Sequence, residues 1–206
     1  ERAQDNSGEG MGFRAYLTGV GGLFKDRGIV GLCAMAGFRS MCQNGLLVYV
    51  PMLLKNVFGF GPVLLGLALT AMQVGGMIGG PVAGTLSDKM GRRSVVLSGL
   101  VATTAVVLAL TVIEAPVVVI AVLALLGCAL FSVRPVIHGW AMDLTPQNMH
   151  GSAISLLFGT QSAFSMLVPV VGGVIADIWG VGAVFYALAA AMFIASVMAY
   201  LLPDSR

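Results

Sequence analysis

Charged residues are spaced along this chain with long apolar gaps between them. None occurs from Asn56 to Ser87, from Ser94 to Ile113, from Ala115 to Val133 or from Ile178 to Pro203, and with His150 neutral none occurs from Leu144 to Ala176. A sixth apolar stretch, from Gly28 to Leu54, is interrupted by Arg39 alone. A helix needs about 20 apolar residues to cross the hydrocarbon of a bilayer. The pattern therefore predicts six transmembrane helices, at approximately 28–54, 62–86, 94–113, 116–142, 146–176 and 180–202. Turn formers fall in the breaks: Gly59, Gly61 and Pro62; Ser87 to Gly91; Glu114 to Pro116; Trp179 and Gly180. Thr145 and Pro146 read as the cap and first position of the fifth helix.

Composition agrees. Of 206 residues, 58% are hydrophobic and 10% charged, too few charges to coat a water-facing surface. The class is all-α, a polytopic protein surrounded by membrane lipid. A net charge of +2 gives no footprint for nucleic acid. Cys33, Cys42 and Cys128 lie in apolar stretches without ligand spacing and read as packing residues, so neither disulfide, metal nor cofactor is implied.

Six crossings put both ends on one side of the membrane. Arg2, Arg14, Lys25, Arg27, Lys89, Arg92, Arg93 and Arg206 share that side, against Lys55 on the other. This bias predicts cytoplasmic ends in an inner, or plasma, membrane. Trp140 and Tyr200 would then mark the inner interface, and Tyr49 and Trp179 the outer one. Residues 1–26 form a polar lead-in without the features of a secretory signal. Within it Phe13, Tyr16, Leu17, Val20 and Phe24 recur beside Arg14 and Lys25, consistent with an amphipathic interfacial helix or, given Gly19, Gly21 and Gly22, with a loose tether.

Polar groups inside a bilayer are costly, so their placement separates helices facing water from helices facing lipid. The first span carries Arg39, Gln43 and Asn44, and the fourth carries Arg134 and His138; the third and sixth carry no charge, amide or imidazole. Arg39 lies roughly 17 Å into its span, near the midplane. It reads as part of a pathway contacting an anionic group, or as a ligand of backbone carbonyls. Gly75, Gly76, Gly79, Gly80 and Gly84 make a smooth stripe on the second span, and Ser152, Ser155, Gly159, Ser162 and Ser165 a small-residue face on the fifth. Such faces permit close helix approach, within this unit or against a second one.

The loop Gly84-Thr-Leu-Ser-Asp88-Lys-Met-Gly91-Arg92-Arg93 resembles the cytoplasmic signature of the major facilitator superfamily. Pro169-Val-Val-Gly172-Gly173, followed by Asp177, Trp179 and Gly180, is similar to that family's ending of a fifth helix. The resemblance implies one six-helix half of a twelve-helix transporter, here the C-terminal half, whose partner is an N-terminal half. Residues 39–54, and Phe131 to His138, look most similar to the fosmidomycin-resistance-like branch of drug exporters. By the same resemblance Arg39, Gln43, Asn44, Arg134 and His138 would line a substrate cavity. Gly84, Asp88, Gly91, Arg92 and Arg93 would form a conformational latch. Gly75, Gly79, Gly80, Ser155, Gly159 and Ser162 would pack against the other half. The implied activity is proton-coupled efflux of a drug or organic anion by alternating access. With no acid deep in any span, the proton-carrying carboxylate would have to come from the other half.

An intramembrane hydrolase would need a buried nucleophile with its base, but His150 sits at a helix start rather than within the membrane. A metal enzyme would need convergent His, Asp or Glu. A channel or scaffold remains as the further alternative, though a channel would show a filter-like loop within the membrane. The reading is therefore a transporter and not an enzyme.

Overall fold

The computed structural model describes residues 26–113 and 115–202. Among them it holds six long helices, one short 3₁₀ turn and no strand: α1 (Arg27–Asn56), α2 (Pro62–Met90), α3 (Arg92–Leu110), α4 (Pro116–Asp143), the turn Gln147–Met149, α5 (His150–Trp179) and α6 (Val181–Leu201). The amphipathic segment expected at residues 13–24 lies outside the described residues.

Each boundary has a local cause. Asp26 caps α1, its carboxylate accepting from the Gly28 N–H at 2.8 Å. Pro62 and Pro116 open α2 and α4 at the first helical position, where a missing N–H costs nothing. Gly91, at φ +86°, and Gly180, at φ +84°, turn the chain between consecutive helices. Both positions need a left-handed conformation that side chains resist. Thr145 does not cap α5 as expected. Its hydroxyl instead donates back to the Ala141 carbonyl at 2.7 Å, extending the end of α4, and α5 starts four residues beyond Pro146.

Five helices, α2 to α6, are long and apolar enough to cross a membrane. The sixth, α1, is the least apolar of the set at 30 residues, because Arg39, Ser40, Gln43 and Asn44 fall in its middle. The chain order of the helices is not their packing order. α2 packs most extensively on α4, α1 on α5 and α6, and α3 on α4 and α6.

The α2–α4 contact is backbone to backbone. A methyl group added at Gly75 would lie 2.0 Å from the Ala124 carbonyl oxygen, and one at Gly79 2.5 Å from that of Cys128. From the other side, one at Gly127 would lie 1.8 Å from the carbonyl oxygen of Met72. Gly75 and Gly79 are therefore not on the face expected to meet another half; they seat α2 on α4 within this unit. Gly80 and Gly84 have open space instead.

Two of the four aromatic anchors are also placed differently. Trp179 and Tyr200 are exposed near helix ends, as an interfacial belt requires, but Trp140 and Tyr49 are buried among helices. Tyr49 fills the space over Gly172 of α5, where a Cβ would meet its hydroxyl at 2.5 Å.

Coverage is uneven. Along their most apolar stretches, 39–44% of the residues of α3, α4 and α6 are buried, against 22% for α2 and 11% for α5. α5 thus has the largest face uncovered by this chain.

Candidate functional site

On that open side, α1, α4 and α5 enclose a polar concavity of about 380 Å³, lined by Ser40, Asn44, Arg134, Phe158, Gln161, Ser162, Ser165 and Met166. Asn44 ties α1 to α5. Its amide nitrogen donates to Ser165 Oγ at 2.8 Å and to the Ser40 carbonyl at 3.0 Å, while Ser40 Oγ and Ser165 Oγ lie 3.1 Å apart. Ser165 Oγ in turn donates to the Gln161 carbonyl of its own helix at 2.8 Å. Two helices that could pack through apolar contacts alone are thus held by a small hydroxyl–amide cluster, and the cluster forms part of a cavity wall.

Arg134 is exposed to this cavity, its guanidinium 5.9 Å from the centroid of the Phe158 ring. His138, one turn further along α4, meets the same ring edge-on at 5.0 Å. Phe158 therefore braces both basic side chains of α4 from α5. A cation over an aromatic face gains a fraction of a kcal/mol to about 2 kcal/mol, according to its desolvation.

Arg39 does not line the cavity. Its side chain is buried, and Nη2 donates to the Leu130 carbonyl of α4 at 2.6 Å. Leu130 precedes Phe131, whose carbonyl loses its helical donor to Pro135, so the arginine engages α4 beside its proline break. Of the five residues expected to line a cavity, Asn44 and Arg134 do so, Arg39 and His138 lie behind the wall, and Gln43 is half-buried elsewhere on α1. Ser162, Ser155 and Gly159 are exposed along the open face of α5, with Ser162 in the cavity itself. The contribution of α5 to the wall was missed. The available signal was Gln161, an amide in the middle of the fifth span.

A second polar cluster sits at the end of the bundle where α2 turns into α3. Arg92 pairs with Asp143, the last residue of α4, in the one ion pair among the described residues. The guanidinium lies directly over Gly139, where an added Cβ would meet its Nη1. Arg93 donates to the Tyr200 carbonyl of α6 and stacks over the Tyr200 ring at 5.3 Å. The two arginines thus tie the start of α3 to the ends of α4 and α6. Asp88, the acid of the same loop, is exposed and makes no ion pair among the described residues. With both partners partly exposed, the Arg92–Asp143 pair is worth about 1 kcal/mol at most.

Among the described residues no group of three or more His, Cys, Asp or Glu is placed to hold a metal ion. Comparison with known proteins fits this geometry. Residues 31–206 match the family model described as the Major Facilitator Superfamily. A multidrug efflux pump, Tap, of Mycolicibacterium fortuitum is 30% identical over 147 residues, which are 70% of this chain and 36% of that protein. The arabinose-proton symporter of Bacillus subtilis (strain 168) is 26% identical over 151 residues, 71% of this chain and 29% of that protein. The chain therefore spans about a third of the length of these curated relatives.

Two solved structures share the fold. The POT family transporter PepTSo superposes with a TM-score of 0.75 at 16% identity, over 87% of this chain and 39% of that one. The proton:xylose symporter XylE, solved with 6-bromo-6-deoxy-D-glucose, gives 0.69 at 15% identity, over 92% and 46%. With six long helices in the arrangement of one half of these transporters, and the family model matched over residues 31–206, the chain belongs to the major facilitator superfamily.

Proposed function

We propose that this chain supplies one six-helix half of a secondary active transporter, and that the concavity between α1, α4 and α5 is its share of the substrate pathway. The observation that carries this is a roomy polar cavity with an exposed arginine, opening on the side where α5 is least covered. The second half of the bundle would close over that side. Alternating access then follows from rocking one half against the other around a central site.

Within the family the reading favours the drug-exporter branch, with a drug or organic anion carried outward in exchange for protons. Support comes from the likeness to a multidrug efflux pump and from the positive charge in the cavity. Every carboxylate among the described residues, Asp26, Asp88, Asp143 and Asp177, lies at or near a helix end. A proton-carrying acid at membrane depth is therefore assigned to the other half. Both ends of this segment are assigned to the cytoplasm by the eight-to-one bias of basic residues. The Arg92 and Arg93 contacts would then hold the inner end of this half together as it rocks, leaving the exposed carboxylate of Asp88 for the neighbouring half.

Reconstitution tests this. A full-length transporter carrying this chain should accumulate or extrude a small substrate in proteoliposomes under an imposed proton gradient, and collapse of the gradient should abolish net accumulation. The 206 residues alone should give no flux. Flux by the isolated segment, in a form shown to be monomeric, would contradict the proposal.

A further inference from the structure

We infer that the cavity between α1, α4 and α5 binds an organic oxyanion, a carboxylate or phosphonate, through Arg134, with Asn44 accepting from a hydroxyl or amine beside the anionic group. The inference rests on the reading of this face as substrate pathway and names the class of substrate. The first observation is a charge without a counter-charge. Arg134 is exposed to the cavity, and none of the eight residues lining it is acidic. The nearest described acid along α4 is Asp143, nine residues away, or roughly 13 Å of helix, and it is engaged by Arg92.

The second observation is unspent donor capacity behind the same wall. Arg39 Nε is buried without a partner while its Nη2 is held by Leu130, one turn before Arg134 on α4. His138 Nε2, one turn after Arg134, is also buried and unpartnered. Two guanidinium groups therefore lie along one segment of α4, and no acid among the described residues of α1, α4 or α5 is paired with either. A site so arranged favours an anion strongly, because opposite charges in a low-dielectric setting are poorly screened.

The third observation concerns geometry. Phe158 braces the Arg134 guanidinium in the cavity at 5.9 Å, and a planar fork of donors matches two oxygens of one carboxylate or phosphonate. Asn44, which also lines the cavity from α1, has its amide nitrogen committed to Ser40 and Ser165, which leaves its side-chain oxygen as the acceptor. Ser162 adds an exposed hydroxyl. A volume of about 380 Å³ suits a small organic molecule.

The test uses the full-length transporter in detergent, with benzoate, 3-hydroxybenzoate and phenylphosphonate, each against its methyl ester, and benzyltrimethylammonium as the cationic counterpart. Ligand-dependent thermal stabilisation is followed as a function of concentration. Each acid is expected to act at concentrations at least about tenfold below its ester, the range of one charge-assisted hydrogen bond. The 3-hydroxy acid should be the tightest of the carboxylates. Arg134→Gln should erase the difference between acid and ester, and Arg134→Lys should restore part of it. Equal action of acid and ester, preference for the ammonium compound, discrimination that survives Arg134→Gln, or no stabilisation by any acid would each overturn the inference. Stabilisation by the esters or the ammonium compound, coupled to proton-driven flux, would leave the transporter reading standing while removing the oxyanion; absence of all flux would remove the transporter reading itself.

Discussion

Gly127→Ala is expected to destabilise this half by about 3 kcal/mol, the upper end of what overpacking costs. One methyl group is enough because the neighbour it meets is backbone. The added carbon would lie 1.8 Å from the Met72 carbonyl oxygen, and an oxygen fixed in the α2 hydrogen-bond ladder cannot swing aside as a side-chain tip can. Relief requires α2 and α4 to separate along a contact that also seats Gly75 and Gly79. In lipid no hydrophobic force pushes them back together, since tails solvate an exposed helix face as well as a neighbour does; close packing is what holds the pair. Gly182→Ala in the first turn of α6 supplies the control, because that exposed position has open space and alanine is the better helix former. Thermal unfolding of the full-length protein in detergent should separate the two variants clearly. Equal melting temperatures would show that α2 and α4 are further apart than described.

Arg39→Met is expected to move stability and transport in opposite directions. The guanidinium is buried in the middle of α1 with one hydrogen bond, to a backbone carbonyl, and no ion-pair partner among the described residues. Burying such a charge costs free energy that its single bond does not return in full, so an apolar side chain of similar length should leave the melting temperature unchanged or raise it. Transport should nevertheless fall at least about tenfold, a loss of about 1.4 kcal/mol of barrier lowering. A charge kept at membrane depth at the expense of stability marks function. Arg39→Lys should fail as well, because an ammonium group presents its donors from a single point and cannot reproduce the planar fork that holds Leu130 while keeping Nε set apart from it. Normal transport rates in both variants would reduce Arg39 to a packing residue.

The helices themselves were legible because the bilayer enforces a single length scale on apolar stretches, and charge gaps in the sequence mark it directly. The starts of α2 and α4 were legible from Pro62 and Pro116, while α2 runs on to Met90, past the end expected at 86. The start of α5 was not, because the Thr145 hydroxyl had two places to bond and the choice of Ala141 depends on how α4 ends. The polar residues of α1 and α4 identified the helices that face the cavity, but not which of their side chains reach it. Arg39 and Arg134 look alike as isolated charges in apolar runs, yet one is held by Leu130 and the other is free to enter the cavity. The glycine stripe of α2 shows the same limit. Its spacing announces close approach, whereas the identity of the approaching helix is a tertiary fact set by Ala124, Gly127 and Cys128 on α4. The pairing of Arg92 with Asp143 joins residues 51 apart, a separation that spacing within the loop cannot reveal.

The central claim, that the face formed by α1, α4 and α5 lines an alternating substrate pathway, is tested most directly by a cysteine at Ser162. This residue is exposed and lines the cavity, whereas Val197 on α6 is 43% exposed and is not part of the cavity wall. In a full-length transporter freed of its other cysteines, including Cys33, Cys42 and Cys128, Ser162→Cys should react with a membrane-impermeant thiol reagent. The reaction should be possible from either side of the membrane, and substrate should slow it. Val197→Cys, facing lipid, should stay unreactive under the same conditions. A Ser162→Cys variant that transports substrate yet remains as inert as Val197→Cys would contradict the account.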